Sequence, residues 1–105
     1  MAINYNNYLA SNVTANTTVY NPTATGIQAT VIGLTLANNG ANSAIANVKM
    51  YSGVTSANIV TNVTIPSGTS LSVVDSNKII VAANNLITVS STQSVDVIVS
   101  VIEVT

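Results

Sequence analysis

The alternation of apolar and polar side chains predicts strands along most of the chain. Residues 44–51 alternate most clearly, with apolar side chains at positions 46, 48 and 50 and Asn47, Lys49 and Tyr51 on the opposite face. Residues 27–36 are instead apolar or threonine at almost every position, which is typical of a strand covered on both faces. The Asn-, Gly- and Ser-rich residues 38–43 between them favour a reversal of the chain. We therefore predict a central hairpin.

Short runs of the same kind recur roughly every 8–12 residues, with turn residues between them. No segment keeps the 3.6-residue spacing of a helix. The sequence therefore predicts an all-β fold, an antiparallel β-sandwich of about seven to nine strands, wound as a jelly roll or as an immunoglobulin-like sandwich. The expected strands cover residues 3–9, 13–20, 27–36, 44–51, 58–65, 69–74, 78–82, 86–90 and 95–104, of which the first two have the weakest pattern.

Several turns and one irregular strand position are also predicted. Pro66 and Gly68 indicate a turn, because proline presets φ and glycine accepts a positive φ. Residues 75–77 predict a tight reversal, and residues 83–85 predict another turn. Gly33 lies inside a predicted strand, where glycine commonly marks a bulge or a close backbone approach.

The last predicted strand, residues 95–104, is mostly apolar on both faces. Valines at positions 95, 97, 99 and 101 form one face, and Ile98, Ile102 and Val104 lie on the other. A two-layer sandwich buries only one face of each strand, so these three side chains would form an exposed apolar patch of the kind that marks an interface. Another subunit or the chain's own N-terminal strand could cover them, and the pattern leaves both alternatives open.

The first 25 residues are polar and rich in turn residues, and Pro22 and Gly26 end the segment. They fit either an edge strand or an arm that orders on a neighbouring subunit. We divide the chain into this arm or edge strand, residues 1–25, and a sandwich domain, residues 26–105. The expected anchors of an arm are Ile3, Tyr5, Tyr8 and Leu9.

The low content of charged residues limits the possible binding partners. Hydrophobic residues make up 48% of the chain and charged residues only 5%, against roughly 25% charged in an ordinary soluble domain. A net charge of −1 offers no attraction for nucleic acid or an anionic membrane surface, and no run approaches the roughly 20 apolar residues of a membrane helix. We expect neither partner. Near-zero net charge favours association, which suits a chain that works in an assembly.

Catalytic chemistry has few groups to use. The chain has no histidine and no cysteine, which excludes Ser-His-Asp and Cys-His catalysis and thiolate or histidine metal sites. Asp75 lies in a predicted turn, and the odd interval between Asp96 and Glu103 places them on opposite faces of one strand. We expect solvated charges and no catalytic pair. The sequence therefore predicts no enzyme, no cofactor and no metal site.

A carbohydrate-binding module is the rival function from another class. Sugar-binding sites usually stack sugar rings on exposed aromatic side chains. This chain has four tyrosines and no Trp or Phe, which weakens the alternative.

Six short motifs resemble a group of small bacteriophage virion proteins. They are VIGLTLAN at residues 31–38, NVK at 47–49, IPSGTSL at 65–71, KIIV at 78–81, LITVS at 86–90 and SVDVIVSVIE at 94–103. The resemblance covers about the last three quarters of the chain, and the first 25 residues match nothing in the group. Where the group often has an acidic, alanine- and glycine-containing turn, this chain has Ala-Ala-Asn-Asn at residues 82–85. Most of these motifs are packing and turn motifs, so they identify a fold family better than a role.

The resemblance implies a structural virion protein present in many copies, made in the host cytoplasm and located in the virion. One implied role is a capsid cement or decoration protein, often a trimer, that binds the major capsid protein and copies of itself. The alternative is a neck or tail component at the head–tail junction. The expected contact residues are Ile3, Tyr5, Tyr8, Leu9, Ile98, Ile102 and Val104.

Overall fold

The computed structural model describes residues 3–22, 28–74, 78–82 and 85–104. Nine strands account for most of these residues, and the described ranges contain no helix. The strands are β1 (Ile3–Val13), β2 (Thr17–Tyr20), β3 (Gln28–Ala37), β4 (Ala44–Ser52), β5 (Thr55–Ile65), β6 (Ser70–Val74), β7 (Ile79–Ala82), β8 (Asn85–Ser91) and β9 (Val95–Val104). The prediction of an all-β antiparallel sandwich is confirmed.

The strands form two antiparallel sheets that wind as a jelly roll. The first sheet has the order β1-β9-β3-β6, with β7 also paired to β3, and the second has the order β2-β8-β4-β5. The first four strands pair in order with the last five, as the two arms of one long hairpin do. The ladders are β1·β9, β2·β8, β3·β6/β7 and β4·β5. The ladders β9·β3 and β8·β4 close that hairpin into a roll. Of the two windings left open by the sequence, the structure has the jelly roll.

The predicted central hairpin is wrong, although its two strands are present. β3 lies in the first sheet and β4 in the second, so the intervening residues carry the chain from one sheet to the other. Alternation and turn residues reveal where a strand ends. They do not reveal which sheet the next strand joins, because that depends on partners far away in the sequence.

The predicted reversal at residues 75–77 lies outside the described residues, but the flanking strands do not run in opposite directions. β6 pairs with β3 from Ala37↔Ser70 to Leu34↔Val74, and β7 continues from Val31↔Ile79 to Gln28↔Ala82. β6 and β7 therefore follow one another along the same edge of β3, as two parts of a single interrupted strand. Residues 83 and 84 of the next predicted turn also lie outside the described residues.

The core consists of the inward-facing side chains of both sheets. Val95, Val97, Val99 and Val101 of β9 are buried as predicted, and they belong to one cluster with Val48 and Val89 among others. Burial of a side chain of this size stabilises the fold by about 1.5–3 kcal/mol. The cluster also includes Val13, Val19 and Tyr20, so β1 and β2 both contribute to the core.

The irregularity predicted at Gly33 is a bulge. The register between β3 and β9 shifts between Val31 and Gly33. The buried positions of β3 change accordingly from residues 29 and 31 to residues 34 and 36. This shift keeps both halves of β3 packed against the core.

Candidate interaction surface

The first sheet presents an apolar face to solvent. Directly opposite residues of an antiparallel pair share a face, and the β1–β9 register pairs Ile3 with Val104, Tyr5 with Ile102 and Leu9 with Ile98. These residues alternate with the buried valines of β9 and therefore point away from the core. Six of the seven contact residues predicted from the sequence thus lie together on one surface, which we call the outer apolar face.

The outer apolar face is accessible. Ile3, Tyr5 and Leu9 are 62%, 74% and 72% exposed, and Ile98 is 45% exposed. Ile102 and Val104 are half-buried. Large apolar side chains exposed in this number on one sheet are uncommon on a monomer, which makes this face a candidate interaction site.

Ile80 belongs to the same surface and was missed by the sequence reasoning. Thr30 of β3 pairs with Ile102 on one side and with Ile80 on the other, so all three side chains share a face. Ile80 is 69% exposed, whereas Val81 beside it is buried. The alternation within the KIIV motif could have placed Ile80 and Val81 on opposite faces of a strand. The sequence does not show, however, that β7 lies at the edge of the first sheet.

The outer face of the second sheet is polar at its centre, although Ile45 is exposed on it and Tyr51 lies opposite Leu86. The β4–β8 register places Asn47 opposite Ser90 and Lys49 opposite Thr88, and Thr88 also pairs with Thr18 of β2. The hydroxyl of Thr88 is buried and has no hydrogen-bond partner among the residues that the structure describes. Sequence composition alone could not locate this asymmetry between the two outer faces.

Tyr8 points to the opposite side of β1 from the outer apolar face. It pairs with Val99, whose side chain is buried, and its ring lies 5.0 Å from that of Tyr20. Its hydroxyl donates a hydrogen bond of 3.0 Å to Glu103 Oε2. The structure therefore separates Tyr8 from Ile3, Tyr5 and Leu9, with which the sequence reasoning had grouped it.

Glu103 is the centre of a polar cluster on the inner side of the first sheet. Tyr20 donates a hydrogen bond of 2.5 Å to Glu103 Oε2, and Asn6 Nδ2 donates one of 2.6 Å to Oε1. Together with Tyr8, these residues form what we call the Glu103 cluster. It connects β1 and β9 of the first sheet with β2 of the second sheet.

Hydrogen bonding keeps the Glu103 carboxylate ionised. Burial raises the pKa of Glu103, but the hydrogen bonds from Tyr20, Asn6 and Tyr8 outweigh burial and hold the pKa below its ordinary value. Burial, together with the hydrogen bond to the carboxylate and its charge, raises the pKa of both Tyr8 and Tyr20. The expectation that Glu103 is a solvated charge is wrong: it is buried because it continues the inward alternation of Val97, Val99 and Val101.

The cluster attaches three strands to one another. Asn6, Tyr8 and Tyr20 all donate hydrogen bonds to the Glu103 carboxylate. Asp96 lies on the other face of β9, where it accepts hydrogen bonds from the Asn12 amide and Asn39 Nδ2. The described residues contain no group of three or more side chains suited to binding a metal ion. A helix long and apolar enough to cross a membrane is absent from the part of the chain that the structure describes.

Asn38 forms a second polar anchor, at the end of β3. Its side chain is fully buried, and its Nδ2 donates to the carbonyl oxygens of Asn42 at 2.8 Å and Ile65 at 2.9 Å. Its Oδ1 accepts from the Gly40 amide, and its backbone bonds with Gly68 and Thr69. One asparagine therefore joins the β3–β4 connection to the turn after β5, where Gly68 has the positive φ expected from the sequence.

Similarity to known proteins is limited. No family model matches the chain, and no curated protein matches it. Among solved structures, a pentameric capsid protein isolated from metagenomic phage sequences matches over 93% of this chain, with 19% sequence identity and a TM-score of 0.44. This chain spans 59% of the length of that protein. The similarity is too low to assign a function.

Proposed function

We propose that this chain is a non-enzymatic structural protein of a tailed-phage virion, and specifically a capsid cement or decoration protein. In this role it binds neighbouring capsid subunits and stabilises the shell by burying apolar surface between them. The observation that carries the proposal is the outer apolar face. On it Leu9 is exposed opposite Ile98, and Tyr5 is exposed opposite Ile102 beyond the intervening pair Asn7 and Ser100. A soluble monomer gains nothing from such a surface, whereas a subunit of an assembly covers it.

The size of the face suits a specific contact. Strands of about ten residues are roughly 30 Å long, and four of them at spacings of about 4.8 Å cover on the order of 600 Å². Covering such a face buries roughly 1,200 Å² when both partners are counted, which lies within the range of specific protein interfaces. The weakly charged sequence requires no ion pairs at the contact, so shape and apolar burial would dominate the binding.

Fold and sequence motifs agree with this role. Jelly rolls are common in viral capsid proteins and in lectins, and the fold alone does not choose between them. The motifs that resemble small phage virion proteins favour the first. The outer apolar face favours it too, because aliphatic side chains outnumber the one exposed ring of Tyr5, whereas sugar sites use aromatic platforms.

The proposed partners are the phage major capsid protein and further copies of this chain, and the proposed location is the virion. The trimer implied by the resemblance stays a prediction. A role in the neck or tail would use the same apolar burial in a smaller number of copies, so copy number separates the two roles.

The deciding experiment is the copy number of this chain in purified particles, measured by quantitative mass spectrometry against the major capsid protein. A number comparable to that of the capsid protein supports the cement role. Only enough copies for a single ring would place the protein at the neck or tail. Absence from particles would overturn the virion role and favour the alternative, a carbohydrate-binding module.

A further inference from the structure

The open edge of β1 differs from the other strand edges that the structure describes. Edge strands usually avoid pairing with other chains through short length, proline, charge or bulges. β2 has four residues and is followed closely by Pro22. β5 is distorted at Asn62, whose φ is +49° and whose amide donates to Asn47 Oδ1. β6 and β7 are two short segments, and Lys78 precedes β7.

β1 has none of these protections over residues 3–10, and its distortion lies beyond them at Asn12, whose φ is +56°. It has 11 residues and contains neither a charged side chain nor a proline. From Ile3↔Val104 to Ala10↔Val97 its pairing with β9 is continuous, and the register shifts only beyond Ala10. Asn6 and Tyr8 also attach it to the Glu103 cluster. The backbone groups on its open side are therefore held in a regular array that is ready to accept another strand.

We propose that β1 pairs edge to edge with β1 of a second copy of this chain, antiparallel and about a two-fold axis close to Asn7. Antiparallel pairing is the arrangement that continues the order of the first sheet, in which each strand runs opposite to its neighbour. A two-fold axis makes the contact self-complementary, as in most homodimers.

The side chains of β1 fit this register. With Asn7 opposite Asn7 of the second copy, Tyr5 lies opposite Leu9 on the outer side, and Asn6 lies opposite Tyr8 on the inner side. Near the axis, apolar side chains thus meet apolar ones and polar side chains meet groups that can hydrogen-bond. Further out, Ile3 lies opposite Ser11 and Asn4 opposite Ala10. No charges oppose one another, because β1 carries none.

A second copy fits the edge better than a strand of a charged partner does, because β1 has no charge with which to select such a partner. The product would be a continuous sheet in which two outer apolar faces merge into one. The pairing rests on β1 alone and not on the proposed capsid contact. It can join two monomers or two larger oligomers, so it is compatible with a trimer.

The chain has no cysteine, so a single introduced thiol tests the proposal directly. Opposed Cα atoms of an antiparallel pair lie about 4.5–5.5 Å apart, which suits a disulfide. Asn7→Cys should form a covalent dimer of twice 10.7 kDa on mild oxidation. The matched control is Ser56→Cys at the exposed edge of β5. Equal or slower cross-linking of Asn7→Cys would overturn the proposal.

Proline substitution gives an independent test through the backbone. Successive amides of a strand point to opposite sides, so of Asn6→Pro and Asn7→Pro one removes a hydrogen bond to β9 and the other faces the open edge. The better-folded variant should stay monomeric at concentrations at which the unmodified chain self-associates in analytical ultracentrifugation. A folded proline variant with unchanged self-association, or an unmodified chain that stays monomeric throughout, would overturn the pairing. Either result leaves the copy number in particles, and hence the proposed virion role, to be judged separately.

Discussion

Tyr20 in the second sheet donates a hydrogen bond of 2.5 Å to Glu103 in the first sheet. A buried charge without partners would cost several kcal/mol, and the additional donors Asn6 and Tyr8 offset that cost. The core between the sheets is otherwise mainly apolar, so this polar connection fixes how β1, β2 and β9 meet.

Removing the charge of Glu103 should destabilise the fold. We expect Glu103→Gln to lower the free energy of unfolding by about 1–3 kcal/mol. Neutral hydrogen bonds replace charge-assisted ones, and the amide NH2 group of glutamine faces donors where a carboxylate oxygen accepted from them. Urea denaturation followed by circular dichroism measures this change. The matched control is Asp96→Asn on the other face of the same strand, where the carboxylate accepts two solvent-exposed hydrogen bonds, so the loss should stay under about 1 kcal/mol. Equal losses for both variants would contradict a special role for the cluster.

Acidic pH should lower the free energy of unfolding, because the Glu103 carboxylate becomes protonated. The hydrogen bonds hold the folded-state pKa of Glu103 below that of an unfolded carboxyl group, which is about 4.3. The contribution of Glu103 is therefore complete above that value and is lost as the pH falls through the folded-state pKa. Urea midpoints measured across this acidic range should fall for the unmodified chain and fall less for Glu103→Gln. Parallel curves would assign the acid sensitivity to other groups.

Alkaline pH should lower the free energy of unfolding, because Tyr8 and Tyr20 lose their hydroxyl protons. Burial and the neighbouring carboxylate raise the pKa of Tyr8 and Tyr20 above the ordinary value of about 10. Their contribution is complete below that value and is lost as the pH rises through their folded-state pKa. Absorbance titration of tyrosinate should show late ionisation that Tyr20→Phe removes in part. Ionisation of all four tyrosines near pH 10 would contradict the cluster.

Charges on the outer apolar face should abolish partner binding and leave the fold intact. We expect Ile98→Asp combined with Ile102→Asp to retain β-type circular dichroism, since both side chains point away from the core. Co-sedimentation with particles that lack the protein should fall at least tenfold, because a buried charge without a partner costs more than about 1.4 kcal/mol. Asn47→Asp on the outer face of the second sheet is the control. Undiminished sedimentation of the double variant would place the contact elsewhere.

Asn38 should be among the most sensitive polar positions of the sandwich. Asn38→Ala leaves the carbonyl oxygens of Asn42 and Ile65 without their donor and removes the acceptor of the Gly40 amide. We expect a loss of about 2–4 kcal/mol in the free energy of unfolding, the sum of several unsatisfied groups. Asn39→Ala, one residue further and exposed, should cost under about 1 kcal/mol. Similar losses at both positions would contradict the anchor.

Strand positions could be predicted from the sequence because alternation is a local property. The alternation of residues 95–104 correctly identified the buried face of β9, and the Pro66-Gly68 pair correctly located a turn. Three strands begin or end three or more residues from the prediction, since fraying and bulges depend on neighbouring strands.

Strand partners and side-chain direction in β1 could not be predicted from the sequence. Alternation alone places Tyr8 on the opposite face of β1 from Ile3, Tyr5 and Leu9. Which of the two faces turns toward the core depends on the pairing of Ile3 with Val104, which are almost the full chain length apart. The role of Glu103 depends on the same register, because its donors come from β1 and β2. Prediction therefore succeeded for local pattern and failed where distant segments had to be matched.

The pairing of Ile3 with Val104 also places the start of β1 beside the end of β9. A short linker joining the ends of β1 and β9, with new termini at the exposed turn of Gly53 and Val54, would yield a circular permutant that keeps every ladder. The β1·β9 contact, now the one of greatest sequence separation, would become local, and β4·β5 would become distant. Because folding rates fall as contacting residues become more separated, the permutant would reveal which of these two ladders limits the rate of folding.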